Sequence, residues 1–284
     1  YHHAEYWYHS QKRDVEYFGK FETTDEYVPY GQWIQAEGLR YAIETERRLA
    51  PYASGSMVWQ VNEPWPNSDN TCLMDYFGNP KMAYYWIKKA FSDCNVSLRF
   101  ERNSWKKEFW AEVCIQGDMS VTDEEFKVAI YNSDGKCLKE YAMNCKNLPC
   151  KIEGEFEDKN EIYLIRISHR GIDKEYYFSS DTECVYRPAR CLGKAQISYS
   201  MSDFNECEGV IKCSAALKNN GNNPAYFVYP KDKNLNYAIL ADDAYFTLLP
   251  GEERTVNLTV RKRLGLFFEK VNTEPEIIFD YLNR

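Results

Sequence analysis

The stretch GSMVWQVNEPWPN, residues 55–67, decides how the chain is read. Its first half, GSMVWQV, is short, apolar, partly β-branched and bounded by Gly and Pro, the pattern of a buried strand. Its second half is loop chemistry: an Asn-Glu pair, then Trp65 held extended between Pro64 and Pro66. Glu63 is therefore either a catalytic carboxylate or a residue at the edge of a site whose reacting groups lie elsewhere.

The flanks place this strand in an α/β unit. Upstream, YGQWIQAEGLRYAIETERRLAPYA (30–53) sets Trp33, Ala36, Leu39 or Arg40, Ile43 and Arg47 at steps of three and four. That spacing predicts an amphipathic helix ending before Pro51. Downstream, a Pro/Asn/Ser/Asp loop leads into NPKMAYYWIKKAFSD (79–93), with Pro80 in its first turn and Met82, Tyr85, Trp86 and Lys89 at helical spacing. Helix, strand, loop, helix is one αβα slice. Glu44 and Arg48, four apart, are expected to form a solvated or barrel-bottom ion pair.

Near residue 95 the pattern changes to short strands: VSLRF (96–100), EFWAEVCIQ (108–116), FKVAIYN (126–132) before a turn at Asp134-Gly135, IYLIRISH (162–169) and EYYFSS (175–180). A second set follows: AQISYSM (195–201), GVIKCSAAL (209–217), AYFVYP (225–230), AYFTLLPGEERTVNLTVRK (244–262) and EPEIIFDYL (274–282). Each set spans about 90 residues, the size of an immunoglobulin-type β-sandwich. RPARCLG (187–193) is the expected linker.

Composition bounds the rest. The 284 residues are 44% hydrophobic, enough for a core, and carry a formal charge of −8 without a basic footprint for nucleic acid or an anionic membrane. No stretch approaches the ~18 apolar residues of a membrane span. The first residues lack a signal peptide and do not start with Met, so the chain reads as a piece, and missing targeting signals say little about its parent. The ten cysteines include no C-x-x-C. Reduced thiols of a cytoplasmic protein are expected, with pairs Cys145–Cys150 or Cys207–Cys213 left open. His2, His3 and His9 do not have converging metal-ligand spacing, and nothing calls for a metal or cofactor. Asn95-Val96-Ser97 and Asn257-Leu258-Thr259 match the glycosylation triplet, which matters only in a secreted eukaryotic protein.

The residues QWIQAEGLRYAIETERR, SGSMVWQVNEPWPN and DYFGNPKMAYYWIKKAF resemble, in order and spacing, the end of the catalytic barrel of glycoside hydrolase family 2, in its β-mannosidase-like branch. DDAYFTLLPGEERTV resembles a strand motif of that family's C-terminal sandwich. The middle sandwich resembles it by position alone. The resemblance implies a multidomain, mainly β chain: the C-terminal slice of a (β/α)8 barrel over residues 1–94, then two immunoglobulin-like β-sandwich domains over 95–186 and 187–284. It implies a retaining exo-glycosidase acting on terminal β-linked sugars, whose acid/base and nucleophile Glu both fall before residue 1.

On that reading Asn-Glu here marks the eighth strand, where the family often has Asp. An acid/base could not lose a methylene and keep its reach, so Glu63 is not expected to be the acid. Trp59 is the expected platform under the terminal sugar, with barrel core as its alternative. Asn62 or Glu63 either bonds a sugar hydroxyl or caps the loop. Trp65 lines the rim or packs under the loop, and Asp69 and Asp75 hold the loop. The substrate-binding set is Trp59, Asn62, Glu63 and Trp65. The implied partners are a glycoside, the missing N-terminal part of the same enzyme and a second copy. The lone strand's edges need covering by the first sandwich or another copy, or are poorly ordered. The competing class is a non-catalytic carbohydrate-binding or scaffold β-sandwich protein.

Overall fold

The computed structural model describes residues 11–66, 71–117, 124–155, 160–263 and 273–284. Two compact units divide the chain. The first comprises residues 11–57 and Trp86–Leu192, the second Val58–Tyr85 and Gly193–Arg284.

In the first unit, α1 (Gln11–Phe18) and α2 (Thr24–Arg48) precede seven strands. α2 begins before Tyr30, where the sequence pattern starts it, because Thr23 caps it: its hydroxyl accepts from Glu26 N at 3.2 Å, and the Glu26 carboxylate accepts from Glu22 N at 2.9 Å. The strands are β1 (Cys94–Arg99), β2 (Glu108–Gly117), β3 (Glu125–Tyr131), β4 (Cys137–Asn144), β5 (Cys150–Glu155), β6 (Ile162–His169) and β7 (Ile172–Ser179). They form two antiparallel sheets, ordered β1-β2-β5 and β4-β3-β6-β7. One apolar core joins them, with Leu98, Phe109, Val113 and Ile152 from the first sheet and Val128, Ile165, Tyr176 and Phe178 from the second. A two-residue turn closes β6 to β7, with Arg170 and Gly171 both at positive φ.

β7 is a sheet edge, and its outward carbonyls need donors. Arg40 of α2 donates to Glu175 O, and Lys89 to Asp173 O at 2.9 Å. Residues 103 and 105 bond Ser179 through their backbone. Lys89 lies on α3 (Met82–Ala90), inside which the division between units falls. The Arg40 guanidinium lies over the rings of Tyr176 at 4.1 Å and Trp86 at 4.5 Å. It bonds both carboxylate oxygens of Glu37 at 2.7 Å.

Glu44 does not pair with Arg48 as its spacing predicts. It is buried and accepts from Tyr176 at 2.9 and 3.1 Å, with Lys174 Nζ at 3.5 Å. Arg48 bonds Thr45 and Ser97 instead. The ion pair is lost because α2 turns this face onto β7 rather than into water. The expected linker is also docked: residues Arg187–Cys191 form a 3-10 turn with Pro188 and Ala189 buried, and Arg187 reaches Asp181 at 2.5 Å.

The second unit holds β8 (Ile197–Cys207), β9 (Val210–Asn219), β10 (Ala225–Asp232), β11 (Tyr237–Ala241), β12 (Phe246–Leu248), β13 (Glu253–Lys262) and β14 (Ile277–Asp280). Their sheets are β11-β13-β9-β8 and β12-β10-β14, again antiparallel. No cysteine of the chain is in a disulfide.

Two outcomes test this account. Arg40→Leu leaves the buried Glu37 carboxylate without its cation, and urea denaturation should show a loss of about 3–5 kcal/mol. Burial, partly offset by Glu44, lowers Lys174 to about 8, with Arg40 and Arg47 also pushing it down. Between that value and the ordinary lysine range near ~10.4 the unfolded chain binds more protons, so stability from this group rises with pH. Wild type should gain stability relative to Lys174→Met from pH 8 to 10.

Candidate functional site

The segment that opens the sequence reading is extended but belongs to no strand. Met57 is fully exposed, Trp59 is 77% exposed and Val61 is also exposed, so alternate side chains of one face meet solvent. This corrects the expectation of a buried strand. Burial of such a run requires neighbours on both sides, and among the described residues the 73–74 segment pairs with its end at Gln60 and Val61 alone. The segment is divided between the units: residues up to Met57 group with the first sandwich and residues 58–85 with β8–β14, so packing on the first sandwich, one of the three expected outcomes, holds for its first part only.

The loop beyond it is firmly built. Gln60 O and Val61 O accept from Leu73 N (3.1 Å) and Met74 N (2.8 Å), giving a parallel bridge between Asn62 and Met74. Leu73 O accepts from Lys81 N at 2.8 Å. Asp75 holds the turn, its carboxylate accepting from Asn79 N at 2.8 Å and Asn79 Nδ2 at 2.7 Å. Within this frame Glu63 points inward. It is 5% exposed and meets Lys81 Nζ at 2.8 Å. Beyond the loop, Tyr85 accepts from Ala241 N at 3.1 Å, Arg263 lies over Phe77, and Tyr85 packs on Tyr245.

Of the four predicted site residues, Trp59, Asn62 and Trp65 are exposed and Glu63 is buried, so the structure does not bring all four to one surface. Trp65 is 46% exposed. Lys81 was missed by the sequence reading. Its signal was available: it is the one basic residue between Pro66 and the last helix. His2, His3, His9 and Asp69 lie outside the described residues.

No second acid presents itself. Every buried carboxylate among the described residues has a partner: Asp14 with Tyr27, Glu37 with Arg40, Glu44 with Tyr176, Glu63 with Lys81, Glu175 with Arg166, Asp181 with Arg187, and Asp232 with backbone N–H groups. Cys145 lies 3.9 Å from His169 Nε2, and the same nitrogen meets Glu124 at 2.9 Å. A nucleophile relay needs thiol and acid on different ring nitrogens, and burial pushes the Cys145 thiol up. Burial, then the Glu63 charge, does the same to Cys72. Among the described residues no group of His, Cys, Asp and Glu could hold a metal.

The chain is similar to known glycoside hydrolases. β-Mannosidase B of Aspergillus niger is 30% identical over 82 residues, which are 28% of this chain and 10% of that protein. The Aspergillus clavatus β-mannosidase B is 27% identical over 107 residues, 33% of this chain and 12% of the relative. Among solved structures, the exo-chitosanase of Amycolatopsis orientalis matches with a TM-score of 0.71 at 16% identity, over 95% of this chain and 35% of that one. The β-D-mannosidase of Dictyoglomus thermophilum gives 0.63 at 20% identity, over 96% and 32%. No protein-family model matches the sequence. The chain thus has the fold of a region of glycoside hydrolases, spanning about a third of the solved chains it matches. In sequence it is similar to β-mannosidases over about a third of its length, and it spans about a tenth of those relatives.

Removing either charge of the Glu63–Lys81 pair should loosen the loop. Glu63→Gln or Lys81→Met should cost about 1.5–3 kcal/mol of local stability, read as faster hydrogen exchange at the Leu73, Met74 and Lys81 amides. The double charge reversal should restore part of the protection.

Proposed function

We propose that the chain is the C-terminal portion of a retaining, exo-acting β-glycosidase of β-mannosidase-like type. Residues 1–94 are then the end of its (β/α)8 barrel, with residues 55–61 as the last barrel strand. Residues 95–186 and 187–284 are two immunoglobulin-like sandwiches. The observation that carries this reading is the solvated face of Met57, Trp59 and Val61. Such a face is what a barrel strand presents when the strands beside it are lacking, and the partner that covers it is the N-terminal part of the same enzyme. The three- and four-stranded sheets of each unit support the sandwich assignment.

In the complete enzyme one Glu protonates the leaving oxygen and a second attacks the anomeric carbon, with about 5–5.5 Å between the carboxyls. Both belong upstream of residue 1. Trp59 offers its ring to the C–H face of the terminal sugar, and Asn62, also exposed, offers its amide to a hydroxyl. Glu63 shapes this wall through Lys81. The free thiols support a reducing, cytoplasmic location. The competing binding-module reading calls for a row of exposed aromatics on a sheet face. Among the described strands only Tyr199 and Phe204 of β8 are large exposed aromatics.

The purified 284-residue chain should give no turnover of a nitrophenyl β-mannoside. Turnover abolished by Glu63→Gln would overturn both the assignment of Glu63 and the placing of the catalytic pair upstream. In the upstream reading frame, an Asn-Glu after one predicted strand and an isolated Glu after a later strand are the expected finding.

A further inference from the structure

We propose that a cavity beside α1 and α2 in the first unit is a saccharide pocket that takes one uncharged hexopyranose ring. The proposal does not rest on the glycosidase reading, because no residue of the 58–66 segment takes part. The cavity measures about 260 Å³. That is just below the ~300–1,000 Å³ of sites for drug-sized molecules, so it suits a single ring.

Its walls are aromatic and fixed. Tyr41 donates to Phe100 O at 2.8 Å, and its ring packs on Phe100 at 4.8 Å. Tyr186 donates to Tyr177 O at 3.2 Å and accepts from Asn103 Nδ2 at 2.7 Å. Tyr17 packs on Tyr186 at 6.1 Å. Tyr186 and Phe100 are buried and hold the partly exposed Tyr17 and Tyr41 from behind, so the faces on which a ring's C–H face would settle are already ordered.

The polar groups retain capacity for hydroxyls. Asn103 spends one side-chain donor on Tyr186, and among the described residues no donor reaches its Oδ1. Glu37 takes two bonds from Arg40, whereas a carboxylate has about four acceptor sites. Charge does not select the occupant. Arg40 matches Glu37, Asp14 lies 3.4 Å from Arg13, and Glu101 is exposed. Among the described residues Glu101 has no ion-pair partner, but in water its pull on an organic cation is weak.

An exposed glycine stands on the lining. Gly38 lines the cavity in the middle of α2, where glycine is a poor helix former. A Cβ built there meets nothing within 4 Å, so no packing demands its absence. A larger side chain at this position has open space to enter.

Titration of the 284-residue chain with methyl β-D-mannopyranoside, followed by protein NMR shifts, tests the proposal. Saturable binding is expected, weakened at least about tenfold by Gly38→Trp, with circular dichroism confirming the fold. Asn103→Ala should weaken it in the same direction and decides the matter if Gly38→Trp does not fold. Absence of saturable binding overturns the proposal, as does unchanged affinity in folded Gly38→Trp. Loss of binding in Trp59→Ala with retention in Gly38→Trp also overturns it, while leaving the sugar platform at Trp59 supported. Saturable binding of tetramethylammonium in place of the glycoside overturns the ligand class.

Discussion

A guanidinium buried between two aromatic rings organises the first unit. Arg40 is taken out of water, which is costly unless its charge and its donors are matched. Here the matching is threefold: the Glu37 carboxylate, the faces of Tyr176 and Trp86, and the Glu175 carbonyl on the edge of the sheet. The last contact ties helix to sheet. An uncovered β7 would present a row of free carbonyls to any passing strand. Arg40 and Lys89 fill two of them, at alternate residues, and the chain at 103–105 fills another. Around this point the polar groups continue inward. Arg166 opposes Glu175 across the β6–β7 ladder, Tyr177 donates to the same carboxylate, and Glu44 collects Lys174 and Tyr176. A network so nearly satisfied favours one docking of α2 over sliding alternatives, because a shift of one turn would strand several charges at once.

The segment at 57–61 shows the reverse case. Its composition is as apolar as a core strand, yet among the described residues only its last two, Gln60 and Val61, have a backbone partner. The loop that follows is ordered because its partners are close in sequence: Gln60 and Val61 with Leu73 and Met74, Glu63 with Lys81, Asp75 with Asn79. Local contacts close small loops at small entropic cost. Strand pairing with distant parts of a chain carries a larger closure cost, so a loop can be complete beside an extended segment that is not paired along its length.

This difference also explains what the sequence revealed. IYLIRISH reads as a strand and is one, residue for residue, because β6 is buried on both faces. β4, CLKEYAMN, escaped notice because it is largely exposed and becomes a strand only by pairing with β3. β5 and β11 are short, and β5 has a single fully buried side chain. The start of α2 was hidden by Pro29, since the cap at Thr23 lies six residues earlier. Glu44 misled because i,i+4 spacing describes a helix in water. The reading of GSMVWQV as a buried strand failed because its apolar residues meet solvent and the segment is in no strand. The exposure of Trp59 was not legible in a run that reads as a buried strand, nor was the inward turn of Glu63, because it depends on Lys81 arriving from across the loop.

The contact between Glu63 and Lys81 bears directly on what Glu63 can do. A general acid must come within hydrogen-bond reach of the leaving oxygen and surrender a proton to it. Glu63 lies almost wholly inside the loop, its carboxylate against an ammonium whose own side chain is only 18% exposed. To turn outward it would break this buried ion pair and leave its own place inside the loop, a cost borne in every catalytic cycle. The Asn-Glu pair in this loop therefore has the wrong partner for acid chemistry, whatever its likeness to an acid/base signature. Its carboxylate serves better as the fixed point from which the exposed Trp59 and Asn62 are hung.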